Sequence, residues 1–474
     1  MMKSNVKEFG NKTSLFFKKV FKSEGFNSIL TSIICILIGL LIGFIILLCI
    51  APEGALKGIE TIILNFFAYK KSSLQLKYFA KTLTYTAPLI LCGVSVLFAY
   101  KTGLFNIGAA GQYTVGAGVA IISAIAWHCP WYVCLLLAML AGAIWGSLVG
   151  LLKAFFGINE VISAIMLNWI GLYLVNMCIQ QTSAWDTIKR ETYSIESYAK
   201  QAILPTLGLD KLFKFDYIGL GLIIALVVPI IIFIILKYTT FGYELKATGF
   251  NKNASRYVGM KEKSNTITTM AISGGLAGLG AGVFYLTGVM PYYCPTSGAL
   301  DMGFNGISSA FLGGLNPIGT IFSSYFLTHI GQAGASLDTT YYSSQISDLI
   351  SSIIIYLCAF THMFRYLLKV GPKNINNWFK NLFTKLKFKK ISENGDVLDK
   401  ENLKNTETNT LEIQENVEVN NNEMQINEKV TIKKEKDNFF TKLKRLFINL
   451  WNKTKTFFIN LFNKVKNLFK KKKD

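Results

Sequence analysis

The chain has 474 residues, of which 51% are hydrophobic and 16% are charged, and its mean hydropathy is +0.38. Soluble globular proteins carry about 25% charged residues, so this composition excludes an ordinary soluble domain and indicates a polytopic membrane protein with polar ends. The formal net charge of +21 is concentrated before residue 27, at 237–263 and after residue 365. Basic residues beside membrane spans mark cytoplasmic loops, and this placement argues against a nucleic-acid partner.

Apolar stretches of spanning length predict an all-α polytopic fold. The first stretch, at 29–50, follows a basic N-terminus and lacks a small-x-small cleavage site. It is therefore predicted to be an uncleaved span that starts in the cytoplasm. The predicted spans lie at about 29–50, 83–100, 107–127, 131–152, 160–180, 216–236, 265–288 and 346–364.

The region 303–333 is too long for one span and is interrupted by Asn316-Pro317. Because both basic ends of the chain are expected inside, this region must enter the bilayer and return. It is predicted to form a short or broken hairpin of 303–315 and 317–333 that turns on the inner side, which gives about ten crossings. The loops expected inside are 101–106, 153–159 and 237–264, and those expected outside are 51–81, 128–130, 181–215 and 289–302.

Four regions are predicted along the chain. They are a basic cytoplasmic N-terminus at 1–28, a transmembrane domain at 29–370, a largely disordered cytoplasmic linker at 371–434, and a basic amphipathic helix at 435–474. Within the linker, 391–428 holds ten Asp and Glu residues against two Lys residues, a net charge of −8, and shows no apolar periodicity. Such a segment cannot bury enough apolar surface to fold on its own.

The C-terminal region contains a repeat of about 11 residues, seen at Asn438-Phe-Phe-Thr-Lys, Asn449-Leu-Trp-Asn-Lys and Asn460-Leu-Phe-Asn-Lys. Eleven residues are close to three helical turns, so the aromatic residues share one helix face and lysines flank it. This pattern favours a helix that lies on an anionic lipid surface; a helix that binds a protein partner is the alternative. The apolar face consists of Phe440, Leu443, Phe447, Trp451, Phe458, Phe462, Val465 and Phe469.

Two glycine-flanked Phe-Asn pairs, in Gly103–Gly108 and Gly303–Gly306, stand in opposite halves of the membrane domain. Both segments are predicted to break a helix at membrane depth, where non-helical backbone must be covered by protein or line a cavity. Breaks at matching positions of two halves indicate a transport pathway. Packing through small residues is the alternative reading, and it is the preferred one for the glycine-rich run at 273–282.

Residues 241–260, FGYELKATGFNKNASRYVGM, form a patterned polar segment between two predicted spans. Its glycines and basic residues suit a short cytoplasmic helix that docks into a groove of a soluble partner. An ordinary positively charged loop is the alternative. The candidate contact residues are Lys246, Ala247, Gly249, Ala254, Arg256 and Gly259.

Several motifs resemble those of one transporter family. The stretch GLFNIGAAGQYTVGA at 103–117 is similar to the GLFNIG-x-EGQ signature of nucleoside-type permeases. INEVISAIMLNWI at 158–170 and GFNGISSAFLGGLNPIGTIFSSYF at 303–326 resemble two further segments of those permeases, and 241–260 resembles the coupling loop of ABC importer permeases. The family belongs to the ABC importer superfamily that also holds ribose and other simple-sugar permeases and branched-chain amino acid permeases.

The chain departs from the family pattern in two places. The acidic residue of the first signature is Ala110 here, which leaves open whether substrate specificity or rate differs. The long basic tail is not part of the usual pattern, and its role is also open. The resemblance covers roughly residues 82–365.

The resemblance implies a multi-pass permease of the bacterial plasma membrane with both termini in the cytoplasm. It implies a complex of two permeases, either two copies or this chain with a paralogue, together with ABC ATPase subunits and an extracellular substrate-binding lipoprotein. The chain has no Walker A sequence, so ATP and Mg²⁺ are expected on the ATPase partner. The chain is thus expected to be a transport subunit, not an enzyme, and to bind no cofactor itself.

A path for a nucleoside or a similar small polar solute needs amide groups and aromatic surfaces. Each candidate could instead serve helix packing. An ion-coupled secondary transporter is an alternative of another class, although its usual mid-membrane ionisable residues are nearly absent from the spans. A membrane scaffold is a third reading, and the sequence does not choose between a nucleoside, a simple sugar and another polar solute. The pathway candidates are Asn106, Gln112, Asn168, Phe304 and Asn305.

Overall fold

A computed structural model of the chain describes residues 24–294, 301–338, 340–343 and 345–359. These residues are mostly helical, with one small antiparallel hairpin of β1 (Trp185–Asp186) and β2 (Glu191–Thr192). The helices are α1 (Glu24–Ile50), α2 (Ala55–Leu64), α3 (Ser72–Lys101), α4 (Ala109–Ile125), α5 (Trp131–Phe156), α6 (Glu160–Gln180), α7 (Ile195–Tyr198), α8 (Leu209–Phe213), α9 (Leu220–Tyr238), α10 (Thr240–Phe250), α11 (Lys252–Tyr257), α12 (Glu262–Tyr285), α13 (Asp301–Leu312), α14 (Pro317–Ala333) and α15 (Gln345–Ala359).

Five helices in the described part of the chain are long and apolar enough to cross a membrane, namely α3, α5, α6, α9 and α12. Ile36–Ile50 of α1 and the whole of α4 are shorter apolar helices. The hairpin predicted at 303–333 is present as α13 and α14, and Asn316 caps α14 by accepting hydrogen bonds from the Ile318 and Gly319 N–H groups. The multi-pass helical fold is therefore confirmed, and the count of ten crossings stays a prediction.

The helices α3, α4, α5 and α12 form the centre of the bundle. Every residue of α3 from Ala87 to Ala99 is buried, so protein surrounds this stretch on all sides. Glycines bring α5 and α12 together, because a Cβ atom on Gly142 would overlap the carbonyl oxygen of Gly274. The run at 273–282 therefore serves close helix packing, as expected for small residues in membrane helices.

A second apolar cluster joins α1, α2, α14 and α15. The helix α1 lies close to α15 because Gly43 leaves no side chain between its backbone and Ile350. At the adjoining end of these helices, the Tyr342 hydroxyl donates a hydrogen bond to the Ala51 carbonyl at 2.5 Å. These contacts attach the first and last described helices to each other beside the central bundle.

Contacts between loops agree with the predicted sides of the membrane. Gly103, in the loop 101–106, lies against Gly249 in the segment 237–264. At the opposite end of α12, Glu191 forms a β-bridge with Tyr293, which joins two loops that were both expected outside. Loops assigned to one side are thus in contact with each other. Which of the two ends faces the cytoplasm stays a prediction.

Two expectations about local structure are wrong. Gly303–Gly306 does not break a helix, because it lies within α13, where both glycines pack against neighbouring backbone. The region 51–81 is not a simple loop, since it contains α2, a 3₁₀ helix at Asn65–Ala68 and the first turns of α3. Polar residues interleave with the apolar ones in this region, so hydrophobic length alone does not reveal its helices. The predicted linker at 371–434 and helix at 435–474 lie outside the described residues.

Candidate functional site

The break predicted at Gly103–Gly108 is present between α3 and α4, where Leu104–Asn106 is not helical. The Asn106 side chain is fully buried in this break. Its Nδ2 donates to Gln112 Oε1 and to Ser273 Oγ, each at 2.7 Å, and Gln112 Nε2 donates back to Asn106 Oδ1 at 3.1 Å. The paired amides therefore tie the break to α4 and α12 through buried hydrogen bonds.

Two serines extend this buried network to α3. The Ser273 hydroxyl donates to the Ser95 carbonyl at 2.8 Å, and the Ser95 hydroxyl lies 2.7 Å from the Ser273 carbonyl. Both side chains are fully buried. Sequence reasoning missed these serines because each stands alone in an apolar or glycine-rich run. A polar residue that recurs inside an otherwise apolar span is the signal that could have found them.

Asn168 of α6 forms hydrogen bonds with the backbone at the start of α4. Its Oδ1 accepts a hydrogen bond from the Gly111 N–H at 2.8 Å, and its Nδ2 donates to the Ile107 carbonyl at 3.1 Å. The first N–H groups of a helix have no partner within the helix, and Asn168 supplies one. The three amides predicted for the pathway, Asn106, Gln112 and Asn168, thus converge around the break, and each is hydrogen-bonded to protein groups.

The segment 241–260 forms two helices, α10 and α11, instead of the one short helix expected. Thr239 Oγ1 accepts from the Gly242 N–H and caps α10, while Asn251 Oδ1 accepts from the Ala254 N–H and caps α11. The Asn265 side chain donates to Thr248 Oγ1 at 3.0 Å in a buried contact that fastens α10 to α12. The segment is therefore a folded unit attached to the bundle.

The candidate contact residues of this unit divide into two groups. Lys246, Ala247 and Gly249 are partly buried, and Gly249 lies against the backbone of Thr102 and Gly103. Ala254, Arg256 and Gly259 are exposed on and beside α11. The Arg256 guanidinium donates to Glu262 Oε2 at 2.6 Å, so it has an ion-pair partner within this chain.

Large apolar side chains project from the same unit. Phe250 is 89% exposed, Tyr257 is 93% exposed and Val258 is 76% exposed. The candidates chosen from the sequence were small and basic residues of this segment and did not include these three side chains. Exposed aromatic groups on a capped, rigid unit are the usual anchors of a protein interface.

Phe304 and Asn305 lie on the exposed face of α13, away from the buried amides. The opposite face of α13 is buried, and a Cβ atom on Gly303 would overlap the Cα of Ala110 on α4. Ala110 itself is fully buried. The small residue at position 110 therefore lies where α13 crosses the start of α4. The five pathway candidates thus form two separate sets, and the structure does not bring Phe304 and Asn305 to the amide network.

The comparisons with known proteins bear on this arrangement. Residues 78–359 match the sequence profile of the family described as the permease component of the branched-chain amino acid transport system. The chain belongs to this permease family. The match includes the break, the buried amides, and helices α10 and α11, and it confirms the resemblance drawn from the motifs. As a permease component, the chain is a membrane transport subunit.

Relatives within the permease family are similar over most of their length. The guanosine ABC transporter permease protein NupP of Bacillus subtilis is 33% identical over 355 residues, which are 73% of this chain and 98% of NupP. The nucleoside ABC transporter permease protein NupB of Lactococcus lactis is 32% identical over 342 residues, 70% of this chain and 90% of NupB. The guanosine ABC transporter permease protein NupQ of Bacillus subtilis is 26% identical over 255 residues, 52% of this chain and 77% of NupQ. No solved structure matches the chain significantly.

Proposed function

We propose that this chain is a transmembrane subunit of an ABC importer that takes up nucleosides, powered by a separate ATPase subunit. The observation that carries the proposal is the attachment of α10 and α11 to the break before α4. Gly249 touches Gly103 by backbone alone, and the same loop reaches the buried Asn106 three residues later. A displacement of the exposed unit, which consists of α10 and α11, would therefore be transmitted directly to the interior of the bundle.

The proposed ATPase contact is the exposed surface of α10, α11 and the turn after them. Phe250, Tyr257 and Val258 supply the apolar anchors, and Arg256 lies beside them with 69% of its side chain exposed. Closure of two ATPase subunits would move this surface, and small shifts of packed helices switch such bundles between discrete states. ATP and Mg²⁺ belong to the ATPase in this assignment, and this chain holds neither.

The roles proposed for the buried amides follow from their partners. Asn106, Gln112 and Asn168 fix the geometry of the break, because their polar atoms are already hydrogen-bonded to protein groups. Phe304 and Asn305 are better placed to meet a solute or a second permease, since both are exposed on α13. An aromatic ring and an amide match the stacking and hydrogen bonding that a nucleobase offers.

The nucleoside assignment draws on NupP and NupB, whose names state guanosine and nucleosides. A simple sugar or another small polar solute is the second candidate, because the same superfamily carries such solutes. We propose a plasma-membrane location with both termini in the cytoplasm and an extracellular substrate-binding lipoprotein as a further partner. A paralogous second permease is also proposed, because Bacillus subtilis has two guanosine permeases, NupP and NupQ, that both resemble this chain.

Uptake and co-purification together test the proposal. A strain that lacks this chain should lose uptake of labelled guanosine and regain it on complementation, while uptake of labelled ribose should not change. Affinity purification of the full-length chain from native membranes should recover an ATPase and a second permease. Tyr257→Ala should reduce recovery of the ATPase, whereas Tyr198→Ala, at an exposed tyrosine near the opposite end of the bundle, should not. Unchanged guanosine uptake in the deletion strain, or loss of ribose uptake alone, would reject the substrate assignment.

A further inference from the structure

An open cavity of about 670 Å³ lies where the end of α5 meets α11 and the first turns of α12. Phe155 and Ile267 give it apolar walls, and Ser264 adds a hydroxyl. Its charged lining consists of three cations and one carboxylate, so the cavity carries a surplus of two positive charges. The charged residues are Arg256, Lys261, Lys263 and Glu262.

The two lysines carry the surplus charge. Arg256 and Glu262 neutralise each other across 2.6 Å. Neither Lys261 nor Lys263 makes an ion pair with any residue in the described part of the chain, and both side chains are exposed. The Nζ atom of Lys263 lies 5.1 Å from the centroid of the Phe155 ring, within the range of a cation–π contact. The positive end of the α12 dipole adds to the same field.

An apolar stripe on α5 leads into this cavity. Five of the exposed apolar residues of α5 recur at steps of four and seven, which places these five on one face of the helix. This stripe ends at Phe155, whose ring forms the cavity wall. A ligand that fits both features has an anionic head and a long apolar chain. The stripe consists of Leu136, Leu140, Ile144, Leu151 and Phe155.

We propose that this cavity binds the headgroup of an anionic phospholipid, with its phosphate diester between Lys261 and Lys263 and an acyl chain along the α5 stripe. Basic pockets between transmembrane helices at the cytoplasmic surface recognise lipid phosphates in this way. The apolar stripe favours a lipid over the ATPase, because a soluble partner would not contact a surface that continues along a membrane-spanning helix. The apolar anchors of the ATPase surface proposed above, Phe250, Tyr257 and Val258, do not line the cavity, whereas Arg256 belongs to both surfaces.

The site has a consequence for transport that does not depend on which solute is carried. Arg256 and Glu262 line the cavity and also join α11 to α12. A bound phosphate would attract the Arg256 guanidinium and compete with Glu262 for it. The lipid would thus act on the junction between the exposed unit and the bundle.

The test measures retention of phosphatidylglycerol by the full-length chain, purified in detergent and titrated with that lipid, using native mass spectrometry. Lys261→Gln combined with Lys263→Gln should weaken phosphatidylglycerol binding roughly thirtyfold, about fivefold for each lysine. The matched single variants are Lys263→Gln and Lys237→Gln. Lys237 also lies over aromatic rings at the end of a span, 5.2 Å from the Phe233 centroid, but it does not line the cavity.

We expect K263Q to lose phosphatidylglycerol binding and K237Q to keep it. Changing both cavity lysines to Arg should preserve binding, because Arg keeps the positive charge, and this variant shows that the substituted protein still folds. Equal losses of phosphatidylglycerol binding in K263Q and K237Q would mean that the lipid responds to general surface charge, and this result would overturn the proposed site. Inorganic phosphate or glycerophosphoglycerol that competes as tightly as the intact lipid would overturn the role of the acyl chain. Loss of ATPase recovery with unchanged lipid retention in the double variant would assign the cavity to the ATPase instead.

Discussion

Gly249 of α10 and Gly103 of the loop before α4 lie so close together that a Cβ atom on Gly103 would come within 2.6 Å of the Gly249 Cα. Gly103 also has a φ of +76°, a conformation that glycine adopts without strain. The contact is between backbones, so no flexible side chain absorbs a displacement of α10. The loop then reaches Asn106, whose buried amide is bonded to α4 and α12. The two glycines therefore connect the exposed unit to the interior of the bundle.

Gly249→Ala tests this connection. The added methyl would lie 2.5 Å from the Thr102 carbonyl carbon, so α10 must move away from the loop. Overpacking of this kind costs about 1–3 kcal/mol, and we expect nucleoside uptake to fall about tenfold or more. Membrane insertion and recovery of the ATPase should persist, because neither depends on this contact. Uptake per inserted molecule is the measurement.

The matched control is Gly331→Ala, which adds the same methyl to a helical glycine of α14 with no atom within 4 Å of the new Cβ. Its uptake should equal that of the unchanged chain. If Gly249→Ala also transports normally, the backbone contact does not transmit the motion and the coupling argument is wrong.

The spans could be predicted because hydrophobic length and helix boundaries are local properties. The span predicted at 160–180 has the same first and last residues as α6. Asn159 stands directly before this helix and caps its start by accepting a hydrogen bond from the Val161 N–H. Gly303 and Gly306 were misread because a glycine that breaks a helix and one that admits a neighbour look alike in sequence. Only the position of α4 and α3 against α13 decides between these roles.

The buried amides were recognised as important, but their partners could not be predicted. Asn106 and Ser273 are 167 positions apart, and nothing local in the sequence indicates that they meet. The same is true of Asn168 and the Gly111 N–H. Tertiary packing brings these groups together, so a single sequence identifies polar residues in apolar surroundings without saying what they bind.

Asn106→Ala should lower the stability of the purified chain. The change leaves the buried Gln112 amide without its partner, at about 1–3 kcal/mol, while the Ser273 hydroxyl keeps its hydrogen bond to the Ser95 carbonyl. We expect the thermal unfolding midpoint in detergent to fall by about 5 °C in the absence of any solute. Asn305→Ala, which removes an exposed amide on α13, should shift the midpoint by no more than about 1 °C.

A different result would reassign Asn106. If Asn106→Ala keeps the unfolding midpoint but raises the KM for uptake, its side chain binds the solute and does not hold the break. Uptake kinetics and thermal unfolding measured on the same preparations distinguish the two roles.

Arg256→Glu should abolish uptake by placing a second carboxylate against Glu262. An exposed ion pair contributes only about 0–1 kcal/mol to stability, so the chain should still insert and fold. The combined exchange Arg256→Glu with Glu262→Arg restores the pair within the chain. If the pair within the chain is what matters, this exchange should recover most of the uptake. Failure of the exchange to recover uptake, with insertion intact, would mean that Arg256 acts on the ATPase and not on Glu262.

The C-terminal segment lies outside the residues that match the permease family. The family match ends at residue 359, and 73% of this chain already covers 98% of NupP. The segment at 435–470 nevertheless keeps aromatic residues and lysines in register over its repeat of about 11 residues. The predicted acidic linker would separate this pattern from the family domain, which favours a separate role for the pattern at the membrane surface.

Truncation after residue 375 should leave uptake per inserted molecule nearly unchanged, because the helices that carry the break and the exposed unit all precede it. A synthetic peptide of residues 435–470 should be largely unstructured in buffer and become helical on phosphatidylglycerol vesicles, since its lysines meet anionic headgroups while its aromatic face enters the interface. Raising the salt concentration should weaken this binding by screening the lysines, and vesicles of phosphatidylcholine should bind the peptide far less. Circular dichroism and vesicle sedimentation measure both effects. Loss of uptake on truncation, with insertion preserved, would instead make the segment part of the coupling machinery.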